Sequence, residues 1–268
     1  MTSYEKLVNS ISKKQSMLCV GLDSDIKKIP NCFEKNCAGL FEFNKTIIEQ
    51  TKDFCSAYKI NFAFYEQYGS EGFDVIEKTL QIIPEDIFTI ADAKRGDIGN
   101  TSLAYSNSVF NYFNFDSVTV NPYMGLDSIS PFLEDKSKFV FLLALTSNNG
   151  SNDFQRLLSD GKPIFQYVIE KTSKVFTNKN LGFVIGATHP KELEILRNII
   201  PEHTILIPGV GTQGGDITAV RKANGNSLAL INVSRAIIYP NDTDISFNDF
   251  ARTVNDIAKK YKDELFIK

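Results

Sequence analysis

Charged residues are concentrated in one short segment that follows an apolar run. The segment IADAKRGDIGNT, residues 90–101, places Asp92, Lys94, Arg95 and Asp97 directly behind IFTIA. Asp92 and Lys94 are two positions apart, so on a β-strand both side chains point to the same face. Buried charges are costly unless they are paired. This spacing is therefore typical either of an ion-pair network that closes one end of a fold or of a functional site.

The elements that must position these charges are eight β-prone runs that alternate with helical patterns. Leu40, Phe43, Ile47 and Phe54, for example, share one helical face before the second run. Apolar strands that alternate with amphipathic helices predict parallel strands covered by helices. In chain order the runs are SMLCVGL, SAYKINFA, IFTIADA, DSVTVNP, FVFLLAL, GFVIGA, TILIPGV and LALINVS.

Eight such units favour an α/β fold of the closed (β/α)8 TIM-barrel type. The alternative is an open doubly wound sheet, which usually has fewer units and a glycine fingerprint after its first strand, where this chain has GLDSD. No Pro-, Gly- or Ser-rich linker divides the chain, and TSNNGSNDFQRLLSDGKP after the fifth strand is interpreted as a long loop. We therefore expect residues 1–268 to form a single barrel domain.

The composition argues against nucleic-acid, membrane and metal partners. The chain is 43% hydrophobic with a net charge of -3, which gives no electrostatic attraction for a polyanion. The longest apolar run, residues 139–145, is too short to span a bilayer, and residues 1–15 lack the apolar region of a signal peptide. The four cysteines form no C-x-x-C pair and have no histidine nearby. We expect a cytoplasmic protein without zinc.

If the barrel is correct, polar residues at the carboxyl ends of its strands meet at one mouth. Lys59 on the second strand then lies beside Asp92 and Lys94 on the third, which makes a Lys-Asp-Lys row. The other residues at this rim are Asp23 (first strand), Asn121 (fourth), Thr146 and Ser147 (fifth), and Ser234 and Arg235 (eighth).

A phosphate-binding site is predicted at the same rim. The loop GVGTQGGD after the seventh strand has glycines that let backbone N–H groups approach an oxyanion, with a helix N-terminus to follow. Arg235 after the eighth strand can add a bidentate contact. The loops after strands seven and eight are the usual phosphate position in such barrels.

At these residues the chain resembles the orotidine 5'-phosphate decarboxylases. DAKRGDIGNT is similar to the signature of that family, Asp-x-Lys-x-x-Asp followed by Ile and Thr. The similarity covers nearly the whole chain, and YKINFAFYE resembles the longer-chain branch of the family. The other matching segments are GLD, VNPYMG, TSN, PGVGTQGGD and NVSRAI.

The resemblance implies a reaction: decarboxylation of orotidine 5'-phosphate to uridine 5'-phosphate and CO2 without a cofactor, the last step of de novo UMP synthesis. Lys94 would protonate the C6 carbanion within an alternating network of Lys59, Asp92, Lys94 and Asp97. The family supplies its last acid from the neighbouring subunit, so the resemblance also implies a homodimer with composite sites to which Asp97, Ile98 and Thr101 contribute.

The resemblance further assigns substrate contacts. Asp23 and Asn61, with Lys59, would hold ribose hydroxyls or the network, Ser147 would contact the pyrimidine, and Gln213 and Arg235 would bind the phosphate. The predicted substrate-binding set is completed by Pro208, Gly215 and Ser234.

Two other functions remain as alternatives. A magnesium-dependent sugar-phosphate decarboxylase of the same superfamily shares Asp-x-Lys-x-x-Asp, but Lys59, RGDIGNT and TSN argue against it. A barrel that binds nucleotides without catalysis is the second alternative, although a pure binder gains nothing from a buried lysine and aspartate beside its ligand.

Overall fold

The computed structural model describes residues 1–211, 214–239 and 243–266, and parallel strands close into a barrel at its centre. Each strand pairs with its neighbour in the chain, and the last pairs with the first. The predicted eight-stranded barrel is thus confirmed. The strands are β1 (Leu18–Leu22), β2 (Ala57–Asn61), β3 (Phe88–Arg95), β4 (Ser117–Val120), β5 (Phe139–Leu145), β6 (Leu181–Ile185), β7 (Ile205–Pro208) and β8 (Ala229–Val233).

Helices cover the outside of the barrel, and several of them bury apolar residues on one face. In α2, Leu40, Phe43 and Ile47 are fully buried, as their spacing predicts, whereas Phe54 lies beyond the end of the helix. The helices are α1 (Ser3–Lys14), α2 (Cys37–Thr51), α3 (Ala63–Glu66), α4 (Gly69–Ile82), α5 (Gly99–Asn107) followed by a π-helical turn (Ser108–Tyr112), α6 (Leu126–Leu133), α7 (Ser151–Phe154), α8 (Ile164–Val175), α9 (Pro190–Ile199), α10 (Ile217–Asn224), α11 (Arg235–Ile238) and α12 (Phe247–Glu264).

Helix α1 closes the floor of the barrel. Its Leu7 and Ile11 join an interior apolar cluster that includes Phe88 and Phe139 at the amino ends of their strands. The Ser10 hydroxyl also donates to the Ser56 carbonyl just before β2. Solvent can therefore reach the barrel interior chiefly from the carboxyl ends of the strands, where the charged residues lie.

The segment after β5 is more ordered than the sequence interpretation of a long loop. It contains α7 and a two-stranded antiparallel hairpin of Leu158–Ser159 and Lys162–Pro163. Asp160 and Gly161 connect these strands with φ angles of 51° and 74°. An Asp-Gly pair is favoured in such tight hairpin turns because both residues must adopt positive φ, so the signal was present in the sequence.

None of the helices in the described residues is both long and apolar enough to cross a membrane.

Candidate active site

A cavity of about 610 Å³ opens at the carboxyl ends of the strands, opposite the floor formed by α1. Every barrel strand, or the residue that follows it, contributes to its lining, as expected when parallel strands end at a common rim. A larger groove of about 1240 Å³ lies outside the barrel among α1, α10 and α12. The smaller cavity is the candidate site because the charged row lines it.

Four charged side chains form a continuous chain of hydrogen bonds in this cavity. Lys59 Nζ donates to Asp23 Oδ1 at 3.1 Å and to Asp92 Oδ2 at 2.8 Å. Lys94 Nζ donates to Asp92 Oδ1 at 2.7 Å. The order is therefore Asp23, Lys59, Asp92, Lys94, with opposite charges in contact at each step.

This pairing keeps the buried members charged. Burial alone would lower the pKa of Lys59, but the Asp23 and Asp92 carboxylates raise it above its usual value. Burial would raise the pKa of Asp92, but the Lys59 and Lys94 ammoniums outweigh it and hold that pKa well below its usual range. Side-chain exposure rises from 4% at Lys59 to 12% at Asp92 and 49% at Lys94, so Lys94 carries the cation that a bound molecule meets.

Strand β3 brings Lys94 to the cavity through a bulge and not by regular pleating. Ala91 pairs with Val118 and Arg95 with Val120, so residues 92–94 lie opposite Thr119 alone. Lys94 has a φ of 50°, in the left-handed region that a residue with a long side chain rarely occupies. Asp92 and Lys94 share the cavity as the spacing predicts, but through an irregular backbone.

Thr119 connects the two sides of this bulge and was missed at the sequence level. Its hydroxyl donates to Asp92 Oδ1 at 3.0 Å and accepts from the Lys94 backbone N–H at 3.0 Å. The available signal was a single polar residue inside the apolar run SVTV, two positions before the predicted rim residue Asn121.

Tyr239 is a second residue that sequence reasoning missed. Its hydroxyl donates to the Asp23 carbonyl at 3.0 Å and accepts from the Asp25 N–H at 2.6 Å. It therefore fixes the backbone that carries the first acid of the charge chain. No local pattern distinguishes it, because the contact joins residues more than 200 positions apart.

Several predicted substrate-binding residues line the same cavity, namely Asn61, Ser147, Pro208, Ser234 and Arg235. Arg235 begins α11 and has no ion-pair partner among the described residues, so its guanidinium is available to an anion. The Ser234 hydroxyl donates to the Gly21 carbonyl at 3.0 Å, which ties β8 to β1.

Other predicted site residues lie elsewhere. Gly215 donates its N–H to the Gly209 carbonyl at 3.2 Å and lines the outer groove. Gln213 lies outside the described residues. In the described part of the chain, the cavity lining does not include Asp97, Ile98 or Thr101. The Asp97 carboxylate accepts from the neighbouring Ile98 N–H at 2.8 Å, and the Ile98 side chain is exposed.

The fifth and sixth strands approach closely behind Ser147. A Cβ placed on Gly186 would lie 2.7 Å from both the Cα and the backbone N of Ser147. Glycine at this position thus lets the end of β6 pack directly against the backbone of Ser147.

Comparisons of the chain with family models, curated proteins and solved structures all point to one family. The model of the orotidine 5'-phosphate decarboxylase / HUMPS family matches residues 16–246. The chain is 47% identical over 268 residues to the orotidine 5'-phosphate decarboxylase of Phocaeicola vulgatus, which covers 97% of each chain. It is similar to the structure of Leishmania donovani OMP decarboxylase, with a TM-score of 0.81 and 35% identity over 96% of this chain and 99% of that one. Similarity to Leishmania donovani UMP synthase, with a TM-score of 0.84 and 37% identity, covers 96% of this chain and 57% of that one.

Proposed function

The chain belongs to the orotidine 5'-phosphate decarboxylase / HUMPS family, and on that premise we propose that it converts orotidine 5'-phosphate to uridine 5'-phosphate and CO2, the last step of UMP synthesis. The observation that carries this proposal is the Lys94 ammonium, which is held by a buried carboxylate at the mouth of the barrel.

The reaction needs a fixed cation that can also give up a proton. The bond between C6 of the pyrimidine and its carboxylate breaks, CO2 leaves, and the electron pair remains on C6, where no adjacent carbonyl can delocalise it. Lys94 Nζ would stabilise this charge and then donate its proton to C6. Asp92 accepts a hydrogen bond from Nζ at 2.7 Å and so holds it in place before the reaction.

Repulsion between Asp92 and the substrate carboxylate would make only a minor contribution to lowering the activation barrier. Two like charges ~4 Å apart at an effective dielectric of ~20 repel by about 4 kcal/mol, whereas enzymes commonly lower barriers by ~8 to 23 kcal/mol. Stabilisation of the carbanion by Lys94 must therefore account for much of the remaining reduction of the barrier. Energy from phosphate binding, used to order the site around the substrate, would supply more.

Arg235 and the loop after β7 are suited to the phosphate. Gly209 and Gly211 have φ angles of 99° and 82°, a conformation that glycine adopts readily and that lets the chain turn sharply beside the cavity. Arg235 lies at the cavity without an ion-pair partner among the described residues. We assign the sugar hydroxyls to Asp23 and Asn61, and the pyrimidine to Ser147.

We also propose that the active form is a homodimer in which Asp97, Ile98 and Thr101 complete the site of the other subunit. Supporting this, Ile98 just before α5 and Leu103 in the middle of α5 are exposed apolar residues, as is Met124 just before α6, and α5 packs against α6. Mixing Lys94→Ala and Asp97→Ala subunits tests the arrangement. Composite sites predict that activity returns on mixing, whereas sites within one chain predict that it does not.

The mechanism requires no metal. Asp92 Oδ2 accepts from Lys59, and Asp92 Oδ1 accepts from both Lys94 and Thr119. A divalent cation at this carboxylate would have to displace an ammonium. This is the feature that favours the proposed reaction over a magnesium-dependent sugar-phosphate decarboxylase.

The free thiols fit a reducing compartment, and we place the enzyme in the cytoplasm.

The test is the ultraviolet absorbance of the protein with orotidine 5'-phosphate, with and without excess EDTA. We expect conversion that EDTA does not change, that Lys94→Ala abolishes, and that the exposed-lysine control Lys259→Ala retains. Near-normal turnover in Lys94→Ala would refute the assignment of the proton donor. Binding without turnover in the wild type would instead favour the non-catalytic barrel, and turnover of a sugar phosphate only with magnesium would favour the other decarboxylase.

A further inference from the structure

We propose that Thr119 is a positioning residue for the decarboxylation. Its hydroxyl holds the Lys94 backbone and the Asp92 carboxylate in their relative positions across the β3 bulge. The expected effect on kcat rests on the proposed function. The role of Thr119 in placing Lys94 does not depend on which reaction the protein catalyses.

The register of the β3–β4 pair leaves a gap that Thr119 fills. Between the Ala91–Val118 and Arg95–Val120 pairs, β3 has three residues where β4 has one. The ladder resumes above the bulge, where the Asn121 N–H donates to the Arg95 carbonyl at 2.8 Å. Within the bulge, the Lys94 N–H donates to a side chain, the Thr119 hydroxyl.

The directions of these two hydrogen bonds follow from the groups involved. A backbone N–H can only donate, and an ionised carboxylate can only accept. The Thr119 hydroxyl therefore accepts from Lys94 and gives its one proton to Asp92 Oδ1. Thr119 is 1% exposed, so water cannot easily replace either bond.

Removing the hydroxyl should change the position of the Lys94 ammonium. A non-glycine residue persists in the left-handed region only where its surroundings hold it. Valine at position 119 would preserve the shape of the side chain but leave the Lys94 N–H without its acceptor. Lys94 could then leave its φ of 50°, and its Nζ would no longer be held at the same point beside Asp92.

The test compares Thr119→Val, Thr119→Ser and the control Ser117→Ala with the wild type. Ser117 is buried on the same strand, but its hydroxyl donates to the Thr89 carbonyl near the floor of the barrel. We expect Thr119→Val to lower kcat by about 10- to 100-fold, the effect of losing a hydrogen bond to a charged group, with little change in KM. Thr119→Ser should restore kcat, and Ser117→Ala should retain it.

The number of sites that bind uridine 5'-phosphate distinguishes a role of Thr119 in positioning Lys94 from a role in folding. A merely structural role for Thr119 would reduce the number of competent sites and leave kcat per site unchanged, which would overturn the proposal. The expected result is full binding stoichiometry with a lower kcat per site.

Crystal structures of the wild type and of Thr119→Val give a readout that does not depend on turnover. We expect the variant to lose the positive φ of Lys94 or the contact between Lys94 Nζ and Asp92 Oδ1. If both remain, the proposal is overturned even where the wild type is an active decarboxylase. If the wild type does not convert orotidine 5'-phosphate, the proposed function fails, while the structures still decide the role of Thr119 in placing Lys94.

Discussion

Replacing Lys59 with methionine should destabilise the fold by about 3 to 5 kcal/mol at neutral pH, the usual cost of removing one partner from a buried ion pair. Methionine is close to lysine in length but carries no charge. The variant leaves Asp23 and Asp92 without the ammonium that joins them. Their side chains are only 21% and 12% exposed, so neither carboxylate gains full hydration.

The expected cost of Lys59→Met follows from the two ion pairs that Lys59 forms. At an effective dielectric of ~20, a charge pair at the 2.8 Å of Lys59 and Asp92 gains ~6 kcal/mol, and one at the 3.1 Å of Lys59 and Asp23 gains ~5 kcal/mol. Desolvation of the three charges, several kcal/mol for each buried ion, offsets much of this attraction. In the variant the attraction is lost, but the carboxylates remain desolvated, so the net change is destabilising.

The contributions of Asp92 and Lys59 to the free energy of unfolding depend on pH, each with a definite sign. The pKa of Asp92 is lowered in the folded state, so its contribution is present above the unfolded value of ~3.9 and is lost as the pH falls through the folded value. The pKa of Lys59 is raised, so its contribution is present below ~10.4 and is lost as the pH rises through the folded value. The stability lost in Lys59→Met should thus be largest between about pH 4 and pH 10.

Urea unfolding at pH 7 and at pH 3 measures this loss of stability, which should be smaller at pH 3, with Lys13→Met as the matched control. Lys13 Nζ lies 2.6 Å from Asp86 Oδ2, a similar distance, but the two side chains are 67% and 43% exposed. We expect the control to cost only about 1 kcal/mol. Equal costs for the two variants, or a Lys59→Met protein more stable than the wild type, would refute the reasoning.

Three further predictions concern packing, thiols and phosphate. Gly186→Ala should cost about 1 to 3 kcal/mol in urea unfolding and raise KM, because its Cβ would push Ser147 out of place; unchanged kinetics would contradict this. Burial raises the pKa of Cys55 to about 12, so mass spectrometry after alkylation should find exposed Cys32 modified in the native protein and Cys55 only after unfolding. Arg235→Ala should raise KM at least about tenfold with a smaller effect on kcat; an unchanged KM would remove Arg235 from the phosphate site.

The barrel and most of the candidate cavity were predictable because their signals are local. Apolar strand runs and helical faces are encoded by adjacent residues, and the meeting of strand ends at one mouth follows from the topology. Lys59 on β2 and Asp92 on β3 came together because neighbouring parallel strands place their rim residues side by side. The DG pair in the segment after β5 was an equally local signal, and it predicts the hairpin that the interpretation as a loop missed.

The β3 bulge was not predictable, because it depends on register. A pattern within β3 cannot show that residues 92–94 lie opposite Thr119 alone. Thr119 gains its role only from that register, and Tyr239 gains its contact with Asp23 only from the closure of β8 onto β1. The proposed contribution of Asp97 to the site of a second subunit would depend on a surface that periodicity does not identify.

The gradient of exposure along the charge chain explains how an ordinary ion-pair network can also be a site for chemistry. Lys59 and Asp92 are enclosed by the apolar interior, so each must be neutralised by its neighbours in the chain. Lys94 is the most exposed of the four charged side chains in the cavity, at 49%. To move away, its ammonium must leave an Asp92 oxygen whose one other hydrogen-bond donor in the described part of the chain is the Thr119 hydroxyl. The cost of burying the inner charges is thus what holds the outer one, and the position of the proposed proton donor is set before any substrate binds.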